Sequence, residues 1–342
     1  MALTHFEVPN HLNAHQPIEF IGKNRDEVKL MILDRFTART FHGEFQDLGE
    51  FLETGDVLVL NNSRTIPAVL KGKQGNRDIE IRLSRKVNEL QWEALLTGGP
   101  YTGQNLLLPD NVKAKIIGNG SENPLVILQF SVSGQDFYNF LYEYGEPIRY
   151  EYIKQPWSLD SYQTVYSSVP GSVEMPSAGR AFSWRLLNEL RNKGVELAFV
   201  QLHAGLSYYG HDQWPDPSKH PERFHIPTEA ADKINRAKRN GKRVIAVGTT
   251  VVRTLETAGD DRGYVSEGSG VTHLYIHKET NIKVVDGLLT GLHEPEASHL
   301  DLLSAFVDRE MLFKAYHHAI DRGYLWHEFG DMNLILSMRN QN

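Results

Sequence analysis

The side chains best able to do chemistry in this chain stand at the ends of short apolar runs. His203, with Ala204 and Gly205 behind it, follows Leu197–Leu202, and Gly248-Thr249-Thr250 follows the wholly apolar Val244–Val247, with Arg253 one turn on. Asn61, Asn62, Ser63 and Arg64 follow Val57–Leu60 in the same way. Later, Asp286 follows Ile282–Val285, and His293-Glu294 precedes a helix. In open α/β sheets ligands collect outside the carboxyl ends of strands, so these loops are candidates for lining a site. The Gly-Thr-Thr turn offers N–H and hydroxyl donors, but no lysine follows where a Walker loop needs one. Arg64 can hold a carboxylate or phosphate bidentately, with Asn61 and Ser63 on the rest of a polar ligand. His203 at a strand end is a general acid or base, a ligand-orienting donor or a hydrogen-bonded turn residue. His293 and Glu294 are acid/base-capable, though adjacent residues need not face one site. His203, His211, His220 and His225 are neighbours in sequence, but their spacing fits no zinc pattern and no metal is expected.

The stretch 162–184 has neither a helical nor a strand period. It is rich in glycine, proline and hydroxyl side chains, is anchored by aromatics, and carries one acid and one base. Loops of small residues held by aromatic anchors let backbone approach a ligand. Ser177, Ala178 and Gly179 lead into an apolar helical period at Phe182–Leu190, which places three small residues at a helix N-terminus, where free N–H groups hold an anion. A packed crossover without a site is the competing reading.

The elements that must position these residues fall into three parts. Residues 1–65 contain a strand at Lys29–Asp34, a helix and a second strand at Asp56–Leu60. Residues 66–150 hold short strands, among them Asp78–Leu83, Leu90–Leu96 and Leu125–Val132, broken by Gly-Gly-Pro, Pro-Asp-Asn and Gly-Asn-Gly turns, the pattern of a small barrel or sandwich. From 151 helices alternate with strands: Phe182–Asn192, Val195–Leu202, Thr228–Asn240, Arg243–Val247, then Val251–Ala258. Alternation of this kind indicates a mostly parallel sheet with flanking helices. The expected fold is thus an α/β domain, residues 1–65 and 151–342, with an inserted β-barrel-like domain at 66–150.

At 342 residues, with a net charge of −7 and no cysteine, the chain is expected to be a folded cytoplasmic protein without disulfides, thiolate zinc or iron–sulfur clusters. It shows neither a signal-peptide pattern nor an apolar run long enough to span a bilayer. The negative balance argues against broad nucleic-acid affinity. The helix Thr228–Asn240 and its exit nevertheless carry Lys233, Arg236, Lys238, Arg239, Lys242 and Arg243, either a phosphate-backbone contact or a solvated face with cations near a helix C-terminus.

Taken together these stretches resemble the S-adenosylmethionine:tRNA ribosyltransferase-isomerases of queuosine biosynthesis. The likeness runs from about His5 to Leu336 and rests on LDRFTARTFHGEFQDL (33–48), TGDVLVLNNSRTIPA (54–68), YQTVYSSVPGSVEMPSAGRAF (162–182), AFVQLHAGL (198–206), VIAVGTTVVRTLETA (244–258), KVVDGLLTGLHEP (283–295) and LLSAFVDREMLFKAY (302–316). The resemblance implies an α/β domain with an inserted barrel. It implies a reaction in which the ribosyl part of S-adenosylmethionine passes to an aminomethyl-deazaguanine base in tRNA, giving an epoxycyclopentane and releasing adenine and methionine. S-adenosylmethionine is then a substrate, no prosthetic group is implied, and tRNA is the partner.

On that reading Arg64 and Arg253 anchor carboxylate or ribose-side groups, with Asn61 and Gly205 beside the substrate. Ser177, Ala178, Gly179, Gly248, Thr249 and Thr250 supply backbone donors. His203 and His293 transfer protons with Glu294 and Asp286 in support, Tyr162 and Tyr166 face the sulfonium or adenine, and Lys238, Arg239, Lys242 and Arg243 meet tRNA. The chain also departs from the family pattern. Asn62 stands where the family has Asp, and Ala181 where it has His. Arg149-Tyr150-Glu151-Tyr152-Ile153 replaces Leu-Pro-Pro-Tyr-Ile. Ser207-Tyr208-Tyr209 replaces Gly-Thr-Phe, and Leu292-His293-Glu294-Pro295 replaces Phe-His-Leu-Pro. These departures leave two alternatives open: another acceptor for S-adenosylmethionine, or a noncatalytic RNA-binding relative.

Overall fold

Alternating apolar residues on strands buried from both sides build the centre of the molecule. It is known here from a computed structural model that describes residues 6–98, 105–210, 213–216, 219–294 and 299–338. The chain enters through β1 (Lys29–Asp34), β2 (Thr40–Glu44) and a 3-10 helix at Phe45–Phe51, then β3 (Val57–Asn61) and the short β4 (Ser63–Thr65). On β3, Val57 and Val59 join one core and Leu58 and Leu60 the other, the period of two that a sheet covered on both faces demands.

Six strands then close a barrel: β5 (Val69–Gln74), β6 (Arg77–Lys86), β7 (Gln91–Thr97), β8 (Asn105–Leu107), β9 (Lys113–Asn119) and β10 (Val126–Phe130), in the order β10-β7-β6-β5-β8-β9. All its pairings are antiparallel. Inward residues such as Leu70, Ile81, Leu83 and Leu128 fill it, and α1 (Gly134–Tyr144) packs Phe137 against Trp92 and Phe130. The chain returns through β11 (Val169–Ser172), which lies parallel to β4.

The remaining elements are α2 (Trp184–Lys193), β12 (Glu196–Leu202), β13 (Glu222–Ile226), α3 (Thr228–Arg239), β14 (Val244–Val247), α4 (Thr249–Ala258), β15 (Gly268–Thr272), β16 (Gly287–Gly291), α5 (His299–Leu303), α6 (Arg309–Asp321) and β17 (Met332–Leu336). The nine-stranded sheet runs β15-β13-β12-β3-β14-β16-β17-β1-β2. Its centre, β12-β3-β14-β16, is parallel as the alternation of helix and strand implied. The sheet as a whole is mixed, because β13, β15, β17 and β2 each pair antiparallel with a neighbour. Helices α3, α4 and α6 cover one face; α2 and the 3-10 helix cover the other.

Helix α2 starts at Trp184, because the Ser183 hydroxyl accepts from the Leu186 N–H at 3.1 Å and caps it there. Ser177–Gly179 is a separate 3-10 turn, not the N-terminus of that helix as the apolar period suggested. Helix α4, by contrast, begins at Thr249, two residues earlier than its apolar period indicated.

Candidate active site

Strand direction decides what gathers where. The carboxyl ends of β3, β12, β14 and β16 point one way, and beyond them lies a cavity of about 550 Å³. Strand β13 runs against β12 and β17 against β16, so their amino ends reach the same side. From these ends and from the 147–153 and 173–178 loops come the walls, with Ser84 and Arg85 contributed by the barrel.

The donors come first. Gly248 takes φ +92° between β14 and α4, a left-handed conformation that glycine adopts without a Cβ clash, and this lets Thr249 and Thr250 open α4 at the cavity wall. No side chain caps α4, so its first N–H groups remain available to an anion. Arg253 gives Nε to the Leu274 carbonyl at 3.1 Å and Nη1 to Glu222, while its Nη2 has no partner among the described residues. Asn61 lies under the wall and splints it. Its Nδ2 donates to the Leu202 carbonyl at 2.8 Å, and its Oδ1 accepts from the N–H groups of Leu202 and Ser63 at 3.1 Å each.

The titratable groups divide into histidines whose pKa is lowered and carboxyls whose pKa is raised. His203 lies 2.7 Å from the Ser63 hydroxyl through Nδ1, and burial, then the charge of Lys86, lowers its pKa. His293 sits 2.8 Å from Thr290 Oγ1 through Nε2 and stacks on His299 with centroids 4.6 Å apart. Burial, with His299 and His327 adding like charge, holds His293 well below its usual value, and burial takes His299 and His327 to about 4. On the other side burial raises the carboxyls of Glu174, Glu222 and Glu328, the last to about 7. Glu294 reaches the cavity with its carboxylate 3.7 Å from His327 Nε2.

Of the residues picked out in the sequence, His203, Gly205, Tyr162, Ser177, Ala178, Gly248, Thr249, Thr250, Arg253, His293 and Glu294 line this cavity. Arg64 on β4, Tyr166 and Gly179 do not. Tyr166 packs on Phe182 and Phe199, and its hydroxyl fills the space a Cβ on Gly179 would need. Asp286 is corrected outright. It precedes β16, at the amino end of a parallel strand and so at the opposite edge of the sheet, where it accepts from the Val244 N–H at 2.8 Å and pairs with Lys238.

The basic cluster shares that far edge. Arg243 is 7% exposed and clamps Asp56 at 2.5 Å, and Lys238 donates to the Val284 carbonyl at 3.0 Å. Lys242 lays its stem over Gly55, and Arg239 alone of the four is exposed. Arg243 and Lys238 are thus fold-holding cations rather than a free phosphate-binding surface. No group of three His, Cys, Asp or Glu with metal-site geometry occurs among the described residues, and His211 lies outside them.

A family model described as queuosine biosynthesis protein matches residues 2–335. An S-adenosylmethionine:tRNA ribosyltransferase-isomerase of Desulforamulus reducens is 39% identical over 340 residues, covering 97% of this chain and 98% of its own. The chain belongs to the queuosine biosynthesis protein family. A second such relative, from Carboxydothermus hydrogenoformans, is 38% identical over 339 residues, with 97% and 98% coverage. The crystal structure of an S-adenosylmethionine tRNA ribosyltransferase from Thermotoga maritima matches this one with a TM-score of 0.55 at 31% identity, covering 97% of this chain and 99% of that one.

Several residues of this family member's cavity escaped the sequence reading. Glu222 opens β13 and Glu328 precedes β17, at the amino ends of strands antiparallel to β12 and β16, where carboxyl-end reasoning does not look. Glu174 did leave a trace, as the one acid of the stretch 162–184, and Tyr150 and Tyr152 lie in the segment that departs from the family pattern. His299 and His327 reach the cavity only through the tertiary fold.

Proposed function

We propose that this protein transfers and isomerises the ribosyl moiety of S-adenosylmethionine onto a 7-aminomethyl-7-deazaguanine base in tRNA, forming epoxyqueuosine and releasing adenine and methionine. The observation that carries the reading is the convergence, in one cavity, of an uncapped helix N-terminus, an Arg253 Nη2 without a partner among the described residues and two histidines whose pKa is lowered. Each answers a demand of the chemistry. The α4 N–H groups and Arg253 take the methionine carboxylate by charge-assisted hydrogen bonds. Protons on C5′ are acidified by the adjacent sulfonium, and a neutral His203 or His293 accepts one. Tyr162 offers the sulfonium or adenine a ring face.

The enzyme needs no prosthetic group in this scheme, and S-adenosylmethionine is consumed as substrate. Among the described residues no helix is long and apolar enough to cross a membrane, and we place the enzyme with its tRNA in the cytoplasm. The test is to incubate the protein with S-adenosylmethionine and tRNA bearing the aminomethyl base, and to follow adenine and methionine by chromatography. Release that depends on the modified tRNA is expected. Intact binding of S-adenosylmethionine by calorimetry, with no tRNA-dependent release, would turn the reading toward another acceptor.

A further inference from the structure

Two carboxylates in the cavity have no part in the donor-side chemistry above. Glu174 follows β11, Glu328 precedes β17, and both line the same wall region. Tyr150 donates to Glu174, which also accepts from the Ser207 N–H at 2.8 Å, and Tyr152 donates to Glu328. Neither carboxylate has a salt-bridge partner among the described residues. The nearby guanidinium, Arg180, is spent on Glu19 at 3.0 Å and on the Ser161 carbonyl at 2.9 Å.

Two acids buried near each other without a counter-ion are costly to ionise. Burial accordingly raises both carboxyls, with the charge of Glu222 adding a little at Glu174 and that of Glu174 a little at Glu328. A positively charged ligand would remove that cost. Two further polar atoms await one as well. The Tyr162 hydroxyl, on a residue 3% exposed, and Ser84 Oγ, on a residue 2% exposed, line the cavity and have no partner among the described residues. Tyr150 and Tyr152, which hold the two acids, belong to the 149–153 segment in which this chain departs from its family's pattern. Within that segment Tyr150 stands where the pattern has Pro, and Tyr152 keeps the pattern's Tyr.

We propose that Glu174 and Glu328 select an acceptor by its protonated primary amine and take the proton that frees that amine to attack. The ammonium hands one proton to a carboxylate oxygen: an N–H bond breaks, an O–H bond forms, and the nitrogen keeps the electron pair it brings to C1′. The groups facing the pair are Tyr150, Tyr152, Tyr162, Ser207, His327, Arg180 with its Glu19 partner, and Glu222, which is held by Arg253.

This inference rests on the ribosyl-transfer reading. It is tested by titrating free 7-aminomethyl-7-deazaguanine and its neutral 7-hydroxymethyl counterpart into the protein by calorimetry. Wild type should prefer the amine by about tenfold or more, the worth of one charged hydrogen bond. Glu174→Gln and Glu328→Gln should each cut that preference to about threefold or less while binding S-adenosylmethionine as wild type does, which also shows them folded. Equal binding of the two compounds by wild type, or Gln variants that keep the full preference, overturns the inference. So does a loss of S-adenosylmethionine along with the amine, which would assign the acids to the donor. A wild type that prefers the amine yet releases no adenine with modified tRNA breaks the tRNA reading and leaves the subsite standing. Unchanged tRNA turnover in both Gln variants breaks the subsite alone.

Discussion

Glu328 shows how a cavity stores a cost in one side chain. Its pKa stands at about 7 in the fold against 4.5 for a glutamate in water, burial being the largest cause. A carboxyl raised in this way contributes stability that is complete below 4.5 and is lost as pH climbs through 7, which amounts to roughly 3 kcal/mol. Glutamine does not titrate. The melting temperature of Glu328→Gln relative to wild type should therefore rise between pH 4.5 and 7 and level off above. A difference flat across that range in scanning calorimetry would show that the acid is solvated. Arg253 makes the complementary case. Its Nη2 has no partner among the described residues, whereas its other donors hold Glu222 and the Leu274 carbonyl. Arg253→Gln should weaken S-adenosylmethionine binding by about ten- to a hundredfold, as expected for a lost charged hydrogen bond. Calorimetry that finds the affinity unchanged would remove Arg253 from the carboxylate site.

The elements explain both what the sequence disclosed and what it hid. Apolar runs marked β1, β3, β12 and β14 with little error, and turn residues marked the barrel, because both signals are local. The loops after parallel strands could therefore be named in advance, and His203, Gly248–Thr250 and His293 do line the cavity. Strand direction is a tertiary property. Nothing near Glu222 or Glu328 says that β13 and β17 run backwards, and Asp286 passed for a site residue for another reason: the apolar run 282–285 is not a strand, and β16 begins just after it. The 3-10 turn at Ser177–Gly179 was hidden differently, since the apolar period of α2 overruns the Ser183 cap. That turn can be probed directly. A Cβ on Gly179 would fall 1.9 Å from the Tyr166 hydroxyl. Gly179→Ala should cost about 1–3 kcal/mol through overpacking, and Tyr166→Phe in the same chain should restore most of it. Chemical denaturation of the single and double variants reads the coupling, and simple additivity would mean that the clash is relieved elsewhere.

At the scale of the whole molecule, the sheet has a chemical edge and a structural edge. Cavity groups lie outside the carboxyl ends of the central strands, while Asp56–Arg243 and Lys238–Asp286 tie the opposite ends together. Arg239→Glu, an exposed change on that far edge, should leave the rate of the modified-tRNA reaction within about twofold of wild type, because screened surface charges act weakly beyond a Debye length. A steep, salt-dependent fall in rate would bring the basic helix back as a tRNA contact.

Within the cavity itself, His203, His293 and Arg253, assigned to the sulfonium donor, follow central strands or stand on α4, whereas Glu174, Glu328, Tyr150 and Tyr152, assigned to the amine, stand on the loops after β11, before β17 and at 147–152. Two inheritances are thereby uncoupled. A lineage can exchange the few loop residues that judge the acceptor and keep intact the scaffold that spends the donor, so that a new recipient costs it no new catalyst.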